Sequence, residues 1–223
     1  MKDLYLNKEL NYFSTVRKDI ITFIGDKKDL KILEIGAGSG ATLLELKKTG
    51  VAKSIYGYDI MDLVADKDNF DMFCVGNIET EKIPFEKDFF DIIIIADVLE
   101  HLIEPQDTLK KITDHLKDSG EIYISLPNFR NYTVFNSIFL KGDFKYAEQG
   151  ILDKTHIRFF CKKNIMQIAT NIENLVLIEV ISNLKFNKTK KSILNKITLG
   201  VFEEFLSLQY FLKLKKIRKN DEL

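Results

Sequence analysis

The segment KILEIGAGSG, residues 31 to 40, constrains the fold most, because a short apolar run passes directly into three glycines separated by single residues. Ordering glycine costs more backbone entropy than ordering other residues, so such a loop indicates a need for bare backbone. Residues 40–48, GATLLELKK, follow with helical spacing. We therefore predict a buried strand, a glycine turn and a helix whose positive end lies beside any bound group.

Apolar segments alternate with helical ones along the first 128 residues. Four consecutive isoleucines at 92–95 are typical of a strand that is covered on both faces. This order predicts an α/β, Rossmann-like, doubly wound and mostly parallel seven-stranded sheet, whose ligands bind at the carboxyl ends of the strands. We expect strands at 30–35, 53–60, 70–76, 90–98 and 120–128, and helices at 9–24, 40–48 and 104–117.

The second half of the chain is less regular. We expect an irregular insertion at 129–150 that contains a short helix at 132–140, and insertions of this length are often functional. A helix at 162–172 and a strand at 174–182 follow. For residues 188–205 we expect a helical hairpin or one helix broken near Gly200. For residues 207–217 we expect a closing edge strand. The whole chain is interpreted as one domain, with a core at 1–128 and an acceptor-side elaboration at 129–223.

The charge and cysteine content exclude several classes of protein. The 33 basic and 33 acidic residues balance, so the overall charge does not favour a nucleic-acid partner. The two cysteines lack the spacing of metal ligands, which favours a reducing, cytoplasmic location and no metal site. No apolar run approaches the ~18 residues of a membrane span, and the N-terminus does not resemble a signal peptide.

Positive charge is concentrated near the C-terminus, where residues 185–223 hold ten lysine or arginine residues and four acidic ones. Such a segment can contact anionic lipid or a lipid-linked glycan at a membrane surface. A solvated, charged end is the alternative interpretation.

The presence of Glu34 helps to distinguish between the ligands that the glycine loop could bind. The spacing of Gly36, Gly38 and Ala41 also fits a dinucleotide pattern, whereas the Walker phosphate-binding pattern is absent. A carboxylate at the end of a buried strand needs a partner, and it would repel a pyrophosphate. S-adenosylmethionine instead carries an ammonium and a sulfonium group, and Asp59 can accept its ribose hydroxyls. Two alternatives stay open: Glu34 caps the amides of the loop, or the glycines only form a turn.

Four segments resemble the successive motifs of class I S-adenosylmethionine-dependent methyltransferases: LEIGAGSG, GYDI, GNIE and FDIIIIADVLEHL, within residues 30–128. Many members have aspartate at the position of Asn77, whose amide oxygen can still contact an adenine amino group. The asparagine-proline-proline-tyrosine motif of many amino-group methyltransferases is missing, which favours an oxygen acceptor. The resemblance implies S-adenosylmethionine as cofactor and these cofactor-binding residues: Glu34, Gly36, Ala37, Gly38, Ser39, Gly40, Asp59, Ile60, Asn77, Ile78, Ala96, Asp97 and His101.

Three further segments resemble a subgroup of small bacterial methyltransferases tied to surface polysaccharide biosynthesis. They are YFSTVRKDI near the start, DKTHIRFFCKKNI at 153–165 and FEEFLSLQYFLKLKK at 202–216. This likeness implies a sugar, a nucleotide sugar or a glycan precursor as the acceptor.

A hydroxyl acceptor must lose a proton, and a general base assists that loss. His156 is the candidate in DKTHIRFF, with Asp153 to orient its ring and Arg158 to meet an anionic group; Asp97 is a second candidate base. The alternative is that this cluster fastens a loop over the sheet. His101 either shapes the pocket or fixes its turn, and His115 is interpreted as a solvated helix residue.

The insertion at 129–150 is the predicted acceptor site, because its cations and aromatic faces suit a sugar phosphate. The predicted acceptor residues are Arg130, Tyr132, Tyr146, His156 and Arg158. The sequence therefore predicts methyl transfer from S-adenosylmethionine to an oxygen of a small acceptor. Alternatives are another small acceptor (a phenol, a quinone-like compound or an amine), a nicotinamide-dependent reductase, and a non-catalytic cofactor-binding domain.

Overall fold

The computed structural model describes residues 15–186 and 188–218. Seven strands form one sheet: β1 Leu30–Ile35, β2 Ala52–Asp59, β3 Met72–Val75, β4 Phe90–Ala96, β5 Leu116–Pro127, β6 Leu175–Ser182 and β7 Gln209–Lys216. Their order across the sheet is β3-β2-β1-β4-β5-β7-β6. Strands β1 to β5 run parallel, whereas β7 is antiparallel to both β5 and β6. The predicted α/β, Rossmann-like, mostly parallel sheet is confirmed.

The helices flank this sheet, and several are shorter than the sequence predicts. Within the described ranges they are α1 Lys18–Ile24, α2 Ala41–Lys48, α3 Pro105–Thr113, α4 Tyr132–Phe135, α5 Lys162–Gln167, α6 Lys190–Ile197 and α7 Glu203–Leu206. Short 3-10 turns lie at Lys67–Asn69, Leu99–His101 and Asn183–Lys185, and a π turn continues α4 over Asn136–Leu140.

The predicted helix bounds needed three corrections. The helix expected at 9–24 begins at Lys18, while its positions 9–14 lie outside the described residues. The helix expected at 104–117 ends at Thr113 because β5 already begins at Leu116. The helix expected at 162–172 ends at Gln167. As predicted, residues 188–205 contain two helices, and Gly200 between them has a φ of 83°.

The central strands are buried on both faces. Ile92 and Ile94 pack into one apolar cluster with residues of α1 and α2, whereas Ile93 and Ile95 pack into the cluster on the opposite face. Alternate side chains of a strand point to opposite faces, so an unbroken isoleucine run serves two cores at once.

The last strand corrects the prediction of a closing edge strand at 207–217, which is wrong. Strand β7 lies between β5 and β6, and β6 forms the edge. Tyr210, Phe211 and Leu212 are consecutive and fully buried, as expected for a strand covered on both faces. One sheet thus contains strands from both segments, 1–128 and 129–223, and the single-domain organisation stays a prediction.

His115 also differs from its predicted place on a solvated helix. It follows α3, is buried, and donates from Nδ1 to the carbonyl oxygen of Glu86 at 2.9 Å. This bond joins the end of α3 to the segment before β4.

The order of strands reverses between β1 and β4, since β2 and β3 extend the sheet to one side and β5 to the other. In an open parallel sheet this switch point leaves a crevice at the carboxyl ends of the strands. No helix within the described ranges is long and apolar enough to cross a membrane.

Candidate functional site

A cavity of about 250 Å³ lies at this switch point, beyond the carboxyl ends of β1, β2 and β4. The predicted cofactor residues line it, apart from Ser39 and Gly40: Glu34, Gly36, Ala37, Gly38, Asp59, Ile60, Asn77, Ile78, Ala96, Asp97 and His101. Residues from four separate loops therefore meet in one place because parallel strands end at the same edge of the sheet.

At two glycines of the loop, a side chain from another segment packs directly against the backbone. Gly36 has a φ of 73°, and a Cβ on it would overlap the Val98 side chain. Gly40 has a φ of 76°, and a Cβ there would overlap the ring of Phe70. Gly36 thus makes room for the Val98 side chain, whereas Gly40 precedes α2 as its N-cap and makes room for the ring of Phe70.

The amides of this loop are bonded within the protein. Gly36 donates to the carbonyl oxygen of Tyr58 at 2.8 Å, Gly38 to Asp59 Oδ2 at 2.7 Å, and Gly40 to the carbonyl oxygen of Ala37 at 2.7 Å. A phosphate-binding loop must offer its amides to the ligand. The bonded amides therefore disfavour a pyrophosphate at this position.

Glu34 lies at the end of β1 with 3% of its surface exposed. Its Oε2 has no hydrogen-bond partner among the described residues, and the amide of Gly38 goes to Asp59 instead. Burial raises the pKa of Glu34 to about 8, the charge of Arg17 lowers it, and that of Asp59 raises it. The alternative in which Glu34 caps the loop does not agree with these bonds, whereas a cationic ligand would satisfy the carboxylate.

Arg17, which the sequence analysis did not single out, also lines the cavity. Its guanidinium pairs with Asp97 at 2.5 Å and with Asp19 at 3.0 Å, and it donates to Ser125 Oγ at 3.2 Å. Gln209 donates to the same Asp97 carboxylate. Arg17 belongs to the YFSTVRKDI segment, but its partners are too distant in sequence to reveal its role.

His101 lines the cavity, and the ring of His156 lies beside that of His101, with ring centroids 4.8 Å apart. Nδ1 of His101 donates to the carbonyl oxygen of Thr155, and Nδ1 of His156 to that of Ile151, both at 3.0 Å. Oε1 of Glu100 lies 3.9 Å from Nε2 of His156. The fold thus brings the predicted base next to the cofactor residues.

Comparison with known proteins identifies the family, since a family model described as "Methyltransferase domain" matches residues 8–173. The chain belongs to this methyltransferase family. S-adenosylmethionine is its cofactor.

Individual relatives of the methyltransferase are distant. It is 32% identical over 137 residues to the highly reducing polyketide synthase verA of Penicillium polonicum, a match that covers 54% of the chain and 5% of that protein. It is 21% identical over 152 residues to the ubiquinone biosynthesis O-methyltransferase of a Shewanella strain, covering 65% and 63%. The chain thus spans less than two thirds of either relative.

Solved structures are similar in fold. A S-adenosylmethionine-dependent methyltransferase from Aquifex aeolicus superimposes with a TM-score of 0.60 at 14% identity, covering 97% of this chain and 98% of that one.

The residues of the cavity fit this cofactor. The buried carboxylate of Glu34 provides a partner for an ammonium group. Oδ1 and Oδ2 of Asp59 accept the amides of Met61 and Gly38 at 2.8 and 2.7 Å, so its carboxylate is held rigidly at the end of β2.

None of the five predicted acceptor residues lines the cavity, and among them His156 is buried. Arg130 pairs with Glu204 at 2.7 Å, and Arg158 donates to the carbonyl oxygen of Ile103 at 3.1 Å. Tyr132 packs against Phe205, and Tyr146 is 52% exposed. Only His156 approaches the cavity, through its contact with His101. An acceptor role for all five residues stays a prediction.

Proposed function

We propose that this methyltransferase transfers a methyl group from S-adenosylmethionine to an oxygen of a small acceptor, and that the acceptor is a sugar or glycan precursor. The observation that carries the proposal is the Glu100–His101–His156 cluster, which adjoins the cofactor cavity through His101. A hydroxyl must lose its proton when it is methylated, and a histidine beside the reacting groups can take that proton.

Different residues of the chain are assigned to different parts of the cofactor. When bound, S-adenosylmethionine supplies an electrophilic methyl group on a sulfonium. We propose that Glu34 binds its ammonium group, that Asp59 accepts its ribose hydroxyls, and that Asn77 and Ile78 flank its adenine. Holding donor and acceptor in line supplies most of the rate enhancement in such a displacement.

Of the two predicted bases, His156 suits proton transfer better than Asp97. The carboxylate of Asp97 accepts hydrogen bonds from Arg17, Ser125 and Gln209. These bonds hold the carboxylate in place, so we propose that Asp97 orients neighbouring groups.

The oxygen acceptor agrees with the name of one relative, an O-methyltransferase of ubiquinone biosynthesis. The sugar agrees with the likeness of DKTHIRFFCKKNI to methyltransferases of polysaccharide biosynthesis. A screen of nucleotide sugars, phosphosugars and phenols for release of S-adenosylhomocysteine tests both parts. Product with a sugar substrate is expected. Product only with phenols or amines contradicts the sugar assignment, and no product with any acceptor favours a non-catalytic binding domain.

The cofactor site is tested by titration calorimetry with S-adenosylmethionine and with NAD. Asp59→Asn should weaken S-adenosylmethionine binding by about 1–3 kcal/mol, because a charge-assisted hydrogen bond is lost. Asp71→Asn is the matched control, since the Asp71 carboxylate accepts the Ile55 amide at 2.9 Å but does not line the cavity. Unchanged affinity in Asp59→Asn, or tight binding of NAD to the wild type, contradicts the assignment.

We also propose that helix α6 and the following turn contact an anionic membrane surface. Five lysines and no acidic residue lie between positions 185 and 202. The same stretch exposes large apolar side chains: Ile193, Leu194, Ile197, Leu199 and Val201. Lysine next to exposed apolar side chains is typical of helices that lie in a bilayer interface. A cytoplasmic location likewise stays a prediction.

A further inference from the structure

Glu100, His101 and His156 converge on one buried point, although 55 residues separate the two histidines in sequence. One ligand atom from each lies within 4.8 Å of the others. The amides of Ile157 and Arg158 both donate to the carbonyl oxygen of Glu100 at 3.0 Å, which fastens the two segments together. The cluster is therefore built by the fold.

The tautomers of both histidines follow from their hydrogen bonds. A carbonyl oxygen only accepts, so Nδ1 of His101 carries the proton that goes to Thr155, and Nδ1 of His156 the proton that goes to Ile151. In the neutral rings the lone pair is then on Nε2. A backbone carbonyl that holds Nδ1–H in this way is the usual arrangement around a metal-binding histidine.

Glu100 lacks the hydrogen bonds that a buried carboxylate requires. It is 1% exposed, and neither oxygen has a hydrogen-bond partner among the described residues. An uncompensated buried carboxylate is costly, and a bound cation would remove that cost.

We propose that Glu100, His101 and His156 bind a divalent first-row transition-metal ion such as Mn²⁺, Co²⁺ or Zn²⁺. Two imidazoles and one carboxylate favour these ions over Ca²⁺ or Mg²⁺ and leave further coordination positions open. Ligand atoms around one ion lie about 3 Å apart, so the three side chains must move closer together when the ion binds. The absence of a metal was predicted from cysteine spacing, which does not register Glu100 and His101 or the distant His156.

The role of the ion rests on the proposed function. His101 lines the cavity, so an acceptor hydroxyl can reach an open coordination position. Coordination lowers the pKa of that hydroxyl, whose proton passes to water. The oxygen–methyl bond then forms as the sulfur–methyl bond breaks and the sulfonium becomes a thioether. In the metal-bound protein His156 would therefore act as a ligand, and the role of general base proposed above would apply to the metal-free protein.

Metal binding is measured on the full chain after treatment with EDTA, by equilibrium dialysis and by the visible absorption of added Co²⁺. We expect one equivalent of Co²⁺ per chain, displaced by Zn²⁺. His156→Gln and Glu100→Gln should weaken the affinity at least about tenfold. His115→Gln is the matched control: His115 is also buried and bonded from Nδ1 to a carbonyl, but it lies outside the cluster. It should bind Co²⁺ like the wild type.

Wild-type protein that takes up no Co²⁺, or that binds it equally in His156→Gln, overturns the proposal even if Glu100→Gln does not fold. Two measurements distinguish a failure of the metal site from a failure of the proposed function. They are the binding of S-adenosylmethionine and the turnover with and without Mn²⁺. Full turnover in EDTA with a hydroxyl acceptor overturns the metal role and leaves methyl transfer intact. Stoichiometric Co²⁺ binding without turnover of any acceptor supports the site and contradicts the proposed reaction.

Discussion

Arg17 and Asp97 form an ion pair in which a guanidinium nitrogen lies 2.5 Å from a carboxylate oxygen, although 80 residues separate them. The pair joins the segment before α1 to the residue after β4. Both side chains line the cofactor cavity, and Ser125 and Gln209 bond to the same pair. The network thus links a segment outside the sheet to the ends of three strands, β4, β5 and β7.

Arg17→Gln should lower the free energy of unfolding by about 1–3 kcal/mol, because Asp97 loses a charged hydrogen-bond donor. For a chain of this size that corresponds to a fall in Tm of about 2–4 °C per kcal/mol in a thermal melt. Arg130→Gln is the matched control, since its pair with Glu204 is far more exposed. An equal fall in Tm in both variants would mean that the Arg17–Asp97 pair stabilises the protein no more than an exposed ion pair does.

Glu34→Gln should weaken S-adenosylmethionine binding about 10- to 100-fold, because an amide cannot pair with an ammonium group as a carboxylate does. The measurement is titration calorimetry. Glu45→Gln on α2, where the carboxylate pairs with Lys48 at the surface, should bind normally. Unchanged affinity in Glu34→Gln would contradict the assignment of Glu34.

The raised pKa of Glu34 predicts a pH dependence of stability. Its pKa rises from 4.5 to about 8 on folding, so the folded state binds more protons than the unfolded state between these values. The contribution of Glu34 to stability is therefore present below 4.5 and is lost as the pH rises through about 8. Urea unfolding of wild type and Glu34→Gln across this range checks the sign. A loss of stability that is the same in both proteins would point to other groups.

Gly36→Ala should destabilise the protein and abolish cofactor binding, because the new methyl group would collide with the Val98 side chain. Gly50→Ala provides the control, since Gly50 has a similar φ of 76° but has nothing within 4 Å of the place that a methyl group would take. We expect about 1–2 kcal/mol of backbone strain in both variants and a further loss only in Gly36→Ala. Normal cofactor affinity in Gly36→Ala would place the cofactor away from this loop.

The membrane contact is tested by co-sedimentation with phosphatidylglycerol vesicles. A double variant with Ile197→Ser and Leu199→Ser should bind more weakly. Ile197 is 73% exposed and Leu199 is 92% exposed, and both lie in the lysine-rich stretch between positions 185 and 202. Ile178→Ser, a half-exposed residue on β6, should not change binding. Equal binding to phosphatidylcholine vesicles, or equal binding by all variants, would contradict an electrostatic membrane contact.

Much of the cofactor half was predictable from local patterns. The isoleucine run of β4 and the glycines after β1 each determine their own conformation, and parallel strands must end at one edge. Glu34, Asp59 and Asp97 could therefore be placed together from the sequence. The position of β7 could not, because an alternating segment is compatible with both an edge and an interior strand.

The sequence by itself determined the α/β sheet, the glycine loop and the acidic residues at the strand ends, since a local pattern of residues reveals each strand, turn and helix. Tertiary structure alone decided three other features: Arg17 beside Asp97, His115 in a buried bond, and Glu100 and His101 beside His156. Each joins residues from separate segments. Which of many possible distant partners a side chain meets depends on how the whole sheet is assembled, and no local period in the sequence records it.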